Sequence, residues 1–253
     1  MMKYLFSSTQ LKLLKTLQRN STLFAFDFDG TLAKIVQVPM RAKMNKKTSE
    51  LLKALNQVAE VAVISGRSIQ NLKTKFNFRP KYLIGNHGLE GTNSNRVKLA
   101  KMKKVCSNWK KQLNAKIGEL QLQDQLMIED KRYSLTLHYR QAKNRALAKK
   151  RAQSLIQELS PAPRVILGKA VFNLVPEGSP NKGSALLDLM LQTEASHVFF
   201  IGDDVTDEDV FHLRNSRFFT VRVGKNSKSK AKFFIRNQSE IERLLRFLVK
   251  AAQ

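Results

Sequence analysis

The stretch that most constrains this chain is 24–35, FAFDFDGTLAKI. Residues 23–26 are apolar or small and read as a buried strand, the continuous apolar run that a parallel sheet covered on both faces requires. Asp27, Phe28, Asp29, Gly30 and Thr31 follow at once. Two carboxylates at a strand's C-terminal end suit a crevice better than a core, because open α/β sheets bind ligands outside those ends. Gly30 allows a sharp turn or a close approach of backbone to ligand. An aspartate pair there can hold a hard cation through oxygen, and one carboxylate can attack a phosphoryl group. The competing reading of DxDGT alone is a solvated surface turn, and the rest of the chain decides between the two.

The segments around it alternate. Residues 33–47 read as a loop containing Pro39, with Thr48 as a possible N-cap before a helix over 50–57. A β-branched strand over 60–64 ends in Ser65, Gly66, Arg67 and Ser68, and Ser68 caps a helix to about residue 75. A third strand over 81–84 ends in GNHGLEG, 85–91. This order predicts right-handed crossovers and a parallel sheet with helices on both faces. The rhythm then changes to a long helix over 99–120, strands over 125–129 and 133–139, a helix over 142–158, and strands over 164–167 and 170–175. Helix–strand–strand, twice, predicts an antiparallel sheet covered by helices on one face. The first rhythm returns with a helix from Pro180 to Gln192, a strand over 197–201, a strand over 218–223 and a closing helix over 239–249. The expected division is therefore 1–90 and 176–253 for one domain, with 91–175 inserted as a second.

Three strands thus deliver polar groups at their C-terminal ends: Asp27 with Asp29, Ser65, and Asp203 with Asp204. Lys182 stands near a helix start. In one parallel sheet all of them meet at one edge, where two acidic clusters repel unless a cation lies between them.

A chain of 253 residues can bury a substantial core. No apolar run reaches the roughly 18 residues of a membrane span. In the first twenty residues Lys12, Lys15 and Arg19 recur at helical spacing, so this stretch reads as a short amphipathic helix and not a signal peptide. Cys106 is the only cysteine, which excludes an internal disulfide and fits a reducing, cytoplasmic setting. The unusual feature is charge: 45 Lys and Arg against 20 Asp and Glu, a net +25. Such a balance serves nucleic acid, anionic lipid or anionic substrates. The cations are spread from end to end, the densest cluster being KNSKSKAK at 225–232, which reads as a loop. Aromatics do not interleave with them as a base-stacking platform requires. The expectation is a monomer with a small anionic substrate, no specific nucleic-acid partner and no membrane span.

DFDGT, ISGR, NKG and GDDVTDED, in that order, make the sequence resemble the haloacid dehalogenase superfamily of phosphatases. The αββαββ insertion resembles that superfamily's C2-type cap. Within it, ISGR (64–67), GNHGLE (85–90), EDKRYSLTLHYR (129–140), SPNKGSAL (179–186) and GDDVTDED (202–209) are most similar to trehalose-6-phosphate phosphatases. The resemblance implies an α/β, Rossmann-like core and Mg²⁺-dependent hydrolysis of trehalose 6-phosphate through an aspartyl-phosphate. It implies Asp27 as nucleophile, Asp29 as acid and base, and Ser65, Gly66 and Lys182 on the phosphoryl oxygens. Mg²⁺ would be held by the Asp27 carboxylate, the Asp29 backbone carbonyl and Asp203, with Asp204 and Asp207 behind them. Sugar contacts would come from His87, Glu90, Glu129 and Lys131, with Arg67, His138 and Asn173 as further candidates. The last cap strand departs from the family pattern: FNLVP stands where LEVRP is expected, putting Asn173 in place of glutamate and Val175 in place of arginine. Two alternatives therefore stay open. One is a capped phosphatase for another sugar phosphate, such as glucosylglycerol or mannosylglycerate phosphate. The other is a basic polyanion-binding module on a phosphatase scaffold, against which the intact acidic set speaks. From the length, the expectation is a phosphatase without a fused synthase domain.

Overall fold

The computed structural model describes residues 2–18, 21–91, 96–168, 170–213 and 215–252. Chain order begins β1 (Lys3–Tyr4), α1 (Ser8–Gln18), β2 (Thr22–Phe26), α2 (Lys46–Val58), β3 (Glu60–Ile64), α3 (Ile69–Lys73) and β4 (Tyr82–Ile84). Next come α4 (Arg96–Glu119), β5 (Met127–Asp130), β6 (Leu135–His138), α5 (Arg145–Gln157), β7 (Arg164–Gly168) and β8 (Val171–Val175). The chain closes with α6 (Lys182–Gln192), β9 (His197–Gly202), α7 (Glu208–Phe211), β10 (Phe218–Val223), β11 (Phe233–Ile235) and α8 (Ile241–Ala252). It divides into two compact units, Met1–Thr92 with Pro180–Gln253, and Asn93–Ser179. The expected insertion over 91–175 runs through residues 92–95 and 169, and the expected helical spacing includes Arg19; these lie outside the described residues.

Unit 1 is built on a parallel sheet in the order β1-β11-β10-β9-β2-β3-β4. All five residues of β2 are buried, and the strand sends alternate side chains to opposite layers. Phe24 and Phe26 join Val61, Val63, Phe199 and Ile201 under residues of α1, α2 and α8. Leu23 and Ala25 join Ala62, Ile64, Val198 and Phe200 under residues of α6 and α7. Helices on both faces account for strands that are apolar throughout.

Two features differ from the sequence reading. α2 begins at Lys46, and Asn45 caps it by accepting a hydrogen bond from the Thr48 amide at 2.8 Å; Thr48 itself is buried inside the first turn. The first turn, KKTS, is polar on every side, so its helical period was invisible. The sheet also gains β1 and β11 on its outer edge, of two and three residues, too short for alternation to register.

Unit 2 is the αββαββ unit, its strands antiparallel in the order β5-β6-β8-β7. Leu135, Leu137, Phe172 and Leu174 point to one face and pack with Cys106, Trp109 and Leu113 of α4 and Ala152, Leu155 and Ile156 of α5. Thr136, His138 and Asn173 alternate to the other face.

Candidate active site

Parallel register brings the strand ends together. Phe26 lies opposite Ile201 on β9 and Val63 on β3, and the Asp27 amide donates to the Ile201 carbonyl at 2.9 Å. Asp27 and Asp203 therefore leave adjacent strands at one level. Carboxylate oxygens of Asp27, Asp203 and Asp207 all lie within 4.8 Å of one another. Gly30, at φ 88°, permits this: a Cβ there would stand 2.2 Å from an Asp203 carboxylate oxygen.

Lys182 enters the same cluster from α6. Asn181 caps that helix, accepting from the Ser184 amide at 2.9 Å while its own amide donates to Ser184 Oγ at 3.0 Å. This places Lys182 in the first turn, 2 % exposed, with Nζ donating to Asp27 Oδ1 and Asp207 Oδ1 at 2.7 Å each. Burial works against the ammonium, but Asp207 and Asp27 outweigh it and hold Lys182 protonated above its ordinary range. Burial pushes the Asp27 carboxyl well up, with Asp207 and Asp203 adding to the rise and Lys182 opposing it. Asp207 Oδ2 accepts from the Asp204 amide at 2.8 Å, so both Asp207 oxygens are engaged. Asp27 and Asp203 bring the other carboxylates of the cluster, and Asp204 contributes its backbone amide. Three carboxylates against one ammonium, all oxygen donors, fit a hard divalent cation.

Ser65 closes the end of β3, buried, with its Oγ accepting from the Arg67 amide at 3.2 Å. Arg67 is 9 % exposed and engages Asp29 in a fork: Nε to Oδ2 and Nη2 to Oδ1, both at 2.6 Å. Its Nη1 donates to Asn71 Oδ1 at 2.8 Å, and its guanidinium lies 5.5 Å from the Phe28 ring centroid. The Asp29 carboxylate is thus turned to Arg67 and away from the Asp27–Asp203–Asp207 group. His87 has a left-handed backbone, φ 57°, and its buried imidazole lies against Gly66. Glu90 Oε2 accepts from the Ile69 amide at 2.6 Å, satisfying the first turn of α3.

The remaining candidates lie on unit 2. Glu129 Oε2 is 2.8 Å from His138 Nε2, and Thr136 Oγ1 donates to Asn173 Oδ1 at 2.7 Å. These four line the face of the sheet opposite the helices. Lys131 stands in the β5–β6 turn, where its amide donates to the Ser134 carbonyl.

The trehalose-phosphatase family model matches residues 25–239. The chain belongs to the trehalose-phosphatase family. It is 30 % identical over 198 residues to the trehalose-phosphate phosphatase of Mycobacterium tuberculosis, covering 74 % of this chain and 50 % of that one. The chain thus spans about half the length of the curated relatives it matches. Among solved structures, the C-terminal domain of Candida albicans trehalose-6-phosphate phosphatase aligns over 99 % of this chain and 98 % of its own, at TM-score 0.76 and 23 % identity. A HAD/COF-like hydrolase from Plasmodium vivax aligns over 93 % of this chain and 98 % of its own, at TM-score 0.57 and 18 % identity. With both, this chain shares its fold: a parallel sheet between helices that carries an αββαββ unit.

This trehalose-phosphatase family chain also uses residues that sequence reasoning did not single out. Arg222 of β10 lies beside Gly202 in the sheet. It donates to the Asp203 carbonyl at 2.5 Å, to the Asp204 carbonyl at 3.3 Å and to Glu208 Oε1 at 3.2 Å. It fixes the turn that carries Asp203. Glu208 Oε2 in turn accepts from the Lys230 amide at 3.0 Å and ties down the lysine-rich loop. Thr136 is the third such residue. Partners this distant in sequence leave no local signal.

Proposed function

We propose that this chain is a divalent-metal-dependent phosphatase that hydrolyses trehalose 6-phosphate to trehalose and phosphate through an aspartyl-phosphate on Asp27. The observation that carries the reading is the buried group of Asp27, Lys182, Asp207 and Asp203 at the sheet edge, in a chain of the trehalose-phosphatase family. The two units take the roles of catalytic core and substrate-reading cap.

Asp27 attacks phosphorus as its bond to the sugar oxygen breaks, and the leaving oxygen takes a proton from Asp29. Water then attacks the aspartyl-phosphate and gives its proton to Asp29, and the phosphorus–Asp27 bond breaks. Lys182 and the Ser65–Gly66 turn bind phosphoryl oxygens, the lysine as a point charge. Asp207 holds Lys182 against Asp27. Mg²⁺, held by the Asp27 and Asp203 carboxylates and the Asp29 backbone carbonyl, would neutralise charge between carboxylate and phosphate. Arg67 aligns Asp29, which must loosen from the guanidinium to deliver its proton. On unit 2, Glu129, His138, Thr136, Asn173 and Lys131 supply the polar groups for sugar hydroxyls, and His87 and Glu90 shape the turn beside Ser65.

A second reading has its own support. Asn173 stands where the family pattern expects glutamate and spends its carbonyl oxygen on Thr136. A neutral, internally bonded pair there suits a different sugar on the same phosphoryl chemistry. Phosphate release from trehalose 6-phosphate, glucosylglycerol phosphate and mannosylglycerate phosphate, each with Mg²⁺ and with chelator, separates the readings. Turnover of another substrate with trehalose 6-phosphate untouched selects the second. Activity indifferent to chelator, or retained in Asp27→Ala, defeats both.

A further inference from the structure

The helical layer of unit 2 carries a charge that the proposed hydrolysis does not use. Residues 93–179 contain 18 Lys and Arg against 6 Asp and Glu. Within α4 there are eight cations and one acid, Glu119; within α5 there are four cations and no acid. These helices cover the sheet face opposite Glu129, Thr136, His138 and Asn173. A sugar phosphate read by that polar face does not touch their outer side.

One part of this layer is a formed groove. Lys101, Lys104, Asn108 and Lys111 recur at i, i+3, i+7 and i+10 along one side of α4, with Ser107 between them and Pro161 as the opposite wall. Lys103 lines it as well. The wall is held in place from α4 itself. Asn108 Nδ2 donates to the Ser160 carbonyl at 3.1 Å, Trp109 Nε1 to the Pro161 carbonyl at 2.6 Å, and Gln112 bonds Ser160 at both its carbonyl and its amide. Among the described residues Lys101, Lys103, Lys104 and Lys111 have no carboxylate partner, whereas Lys110 pairs with Asp130 and Lys116 with Glu119. Four exposed, like-charged ammoniums along one stretch of helix sum to a positive potential that an anion lowers.

We propose that this groove binds the phosphodiester backbone of a nucleic acid, without reading its bases. Lys101 to Lys111 spans about 15 Å at the rise of an α-helix, which matches roughly four phosphates of one strand. Lysine, serine and asparagine are the side chains that contact phosphate oxygens without sequence information. The outer side of α4 from Ala100 to Lys116 shows no exposed aromatic for stacking on bases. The same stretch offers mostly alanines and polar residues to solvent; its one partly exposed branched apolar side chain, half-buried Val105, lines the groove and does not make the apolar face that enters a bilayer. The proposal is independent of the hydrolytic reading.

A chain of net +25 binds polyanions weakly wherever it is basic, so the test is charge-matched. Two variants of the full chain each lose four positive charges: K101Q/K103Q/K104Q/K111Q in the groove, and K12Q/K15Q/K53Q/K250Q on exposed positions of α1, α2 and α8. Binding of a labelled 20-base-pair duplex of mixed sequence is followed by anisotropy from about 50 to 200 mM salt. The groove variant is expected to bind at least about tenfold more weakly, with its log–log salt slope shallower by about three. The matched variant is expected to keep the parent's slope within about one. Circular dichroism verifies the fold of both. Equal losses in the two variants would make the binding a property of net charge and overturn the proposal. So would groove-dependent binding to phosphatidylserine vesicles or polyglutamate that exceeds binding to the duplex.

Discussion

At the scale of single residues, Lys182 is the group whose surroundings are most constrained. It is buried between Asp27 and Asp207, and because Asp207 accepts from both Lys182 Nζ and the Asp204 amide, deleting its carboxylate leaves both donors one acceptor short. Asp207→Ala is expected to lower stability in urea denaturation by about 3–5 kcal/mol. Asp204→Ala, next to it but contributing only backbone to the cluster, is expected to stay under about 1 kcal/mol. Equal costs would mean that Asp207 does not position Lys182. Arg67 offers a second contrast. Its fork on Asp29 needs a planar guanidinium, which lysine does not supply. Arg67→Lys is expected to lower kcat by about 10- to 100-fold with KM within about threefold, because Asp29, the proposed acid–base group, loses its alignment. A rise in KM at unchanged kcat would instead make Arg67 a sugar ligand, as the motif resemblance first suggested. Cys106 is defined by its burial, which pushes the thiol up to about 12. At pH 8 about one molecule in ten thousand then carries a thiolate. Iodoacetamide should leave the native chain unmodified over hours and label it promptly in urea.

At the scale of elements, legibility followed burial. β2, β3, β9 and β10 are central, parallel and covered on both sides, so their apolar runs stood out. β1 and β11 are short and lie at one edge, and β11 follows a lysine-rich loop. The first turn of α2 was misplaced because its cap, Asn45, precedes a turn with no apolar period. In the site, Asp27, Asp203 and Lys182 were readable because each stands at an element's end in a recognisable string. Arg222, Glu208 and Thr136 were not, because register alone brings them in. α4 shows the same split. Its buried stripe of Met102, Cys106, Trp109, Leu113 and Ile117 is periodic in the sequence, while the role of Trp109 as a clamp on the 160–161 loop is not. Trp109→Phe keeps an aromatic ring in the core and deletes the donor to the Pro161 carbonyl. The expected cost is about 0.5–1.5 kcal/mol, the net worth of a hydrogen bond at a part-buried carbonyl. Hydrogen exchange should quicken in unit 2 and not in β2, β3 or β9; uniform quickening would refute a local clamp.

At the scale of the whole molecule, two units with separate hydrophobic cores share one chain, and only one of them holds the acidic cluster. Unit 1 folds with Asp27, Asp203 and Asp207 drawn together and a single ammonium among them. Burial raises the Asp27 carboxyl above its ordinary value, so its ionised form is disfavoured in the fold. Stability from this group is therefore expected to fall as pH rises past the ordinary carboxylate range, a trend that a bound cation reverses. A ligand that binds only the folded state stabilises by RT ln(1 + [L]/Kd), about 2.7 kcal/mol at a hundred times Kd. Saturating Mg²⁺ should thus slow the exchange of the most protected amides of β2, β3 and β9 by up to about a hundredfold. The amides of β6 and β8 sit in the other core and should not respond. Asp203→Asn removes one carboxylate of the cluster while keeping the shape of the site, and should abolish the slowing. Asp27→Asn should do the same, and should not lower the thermal midpoint in chelator, since it relieves the buried charge and keeps an oxygen for Lys182. Slowing that is equal in both units, or that survives in Asp203→Asn, would place the ion elsewhere and leave the acidic cluster without the role that its geometry and charge suggest.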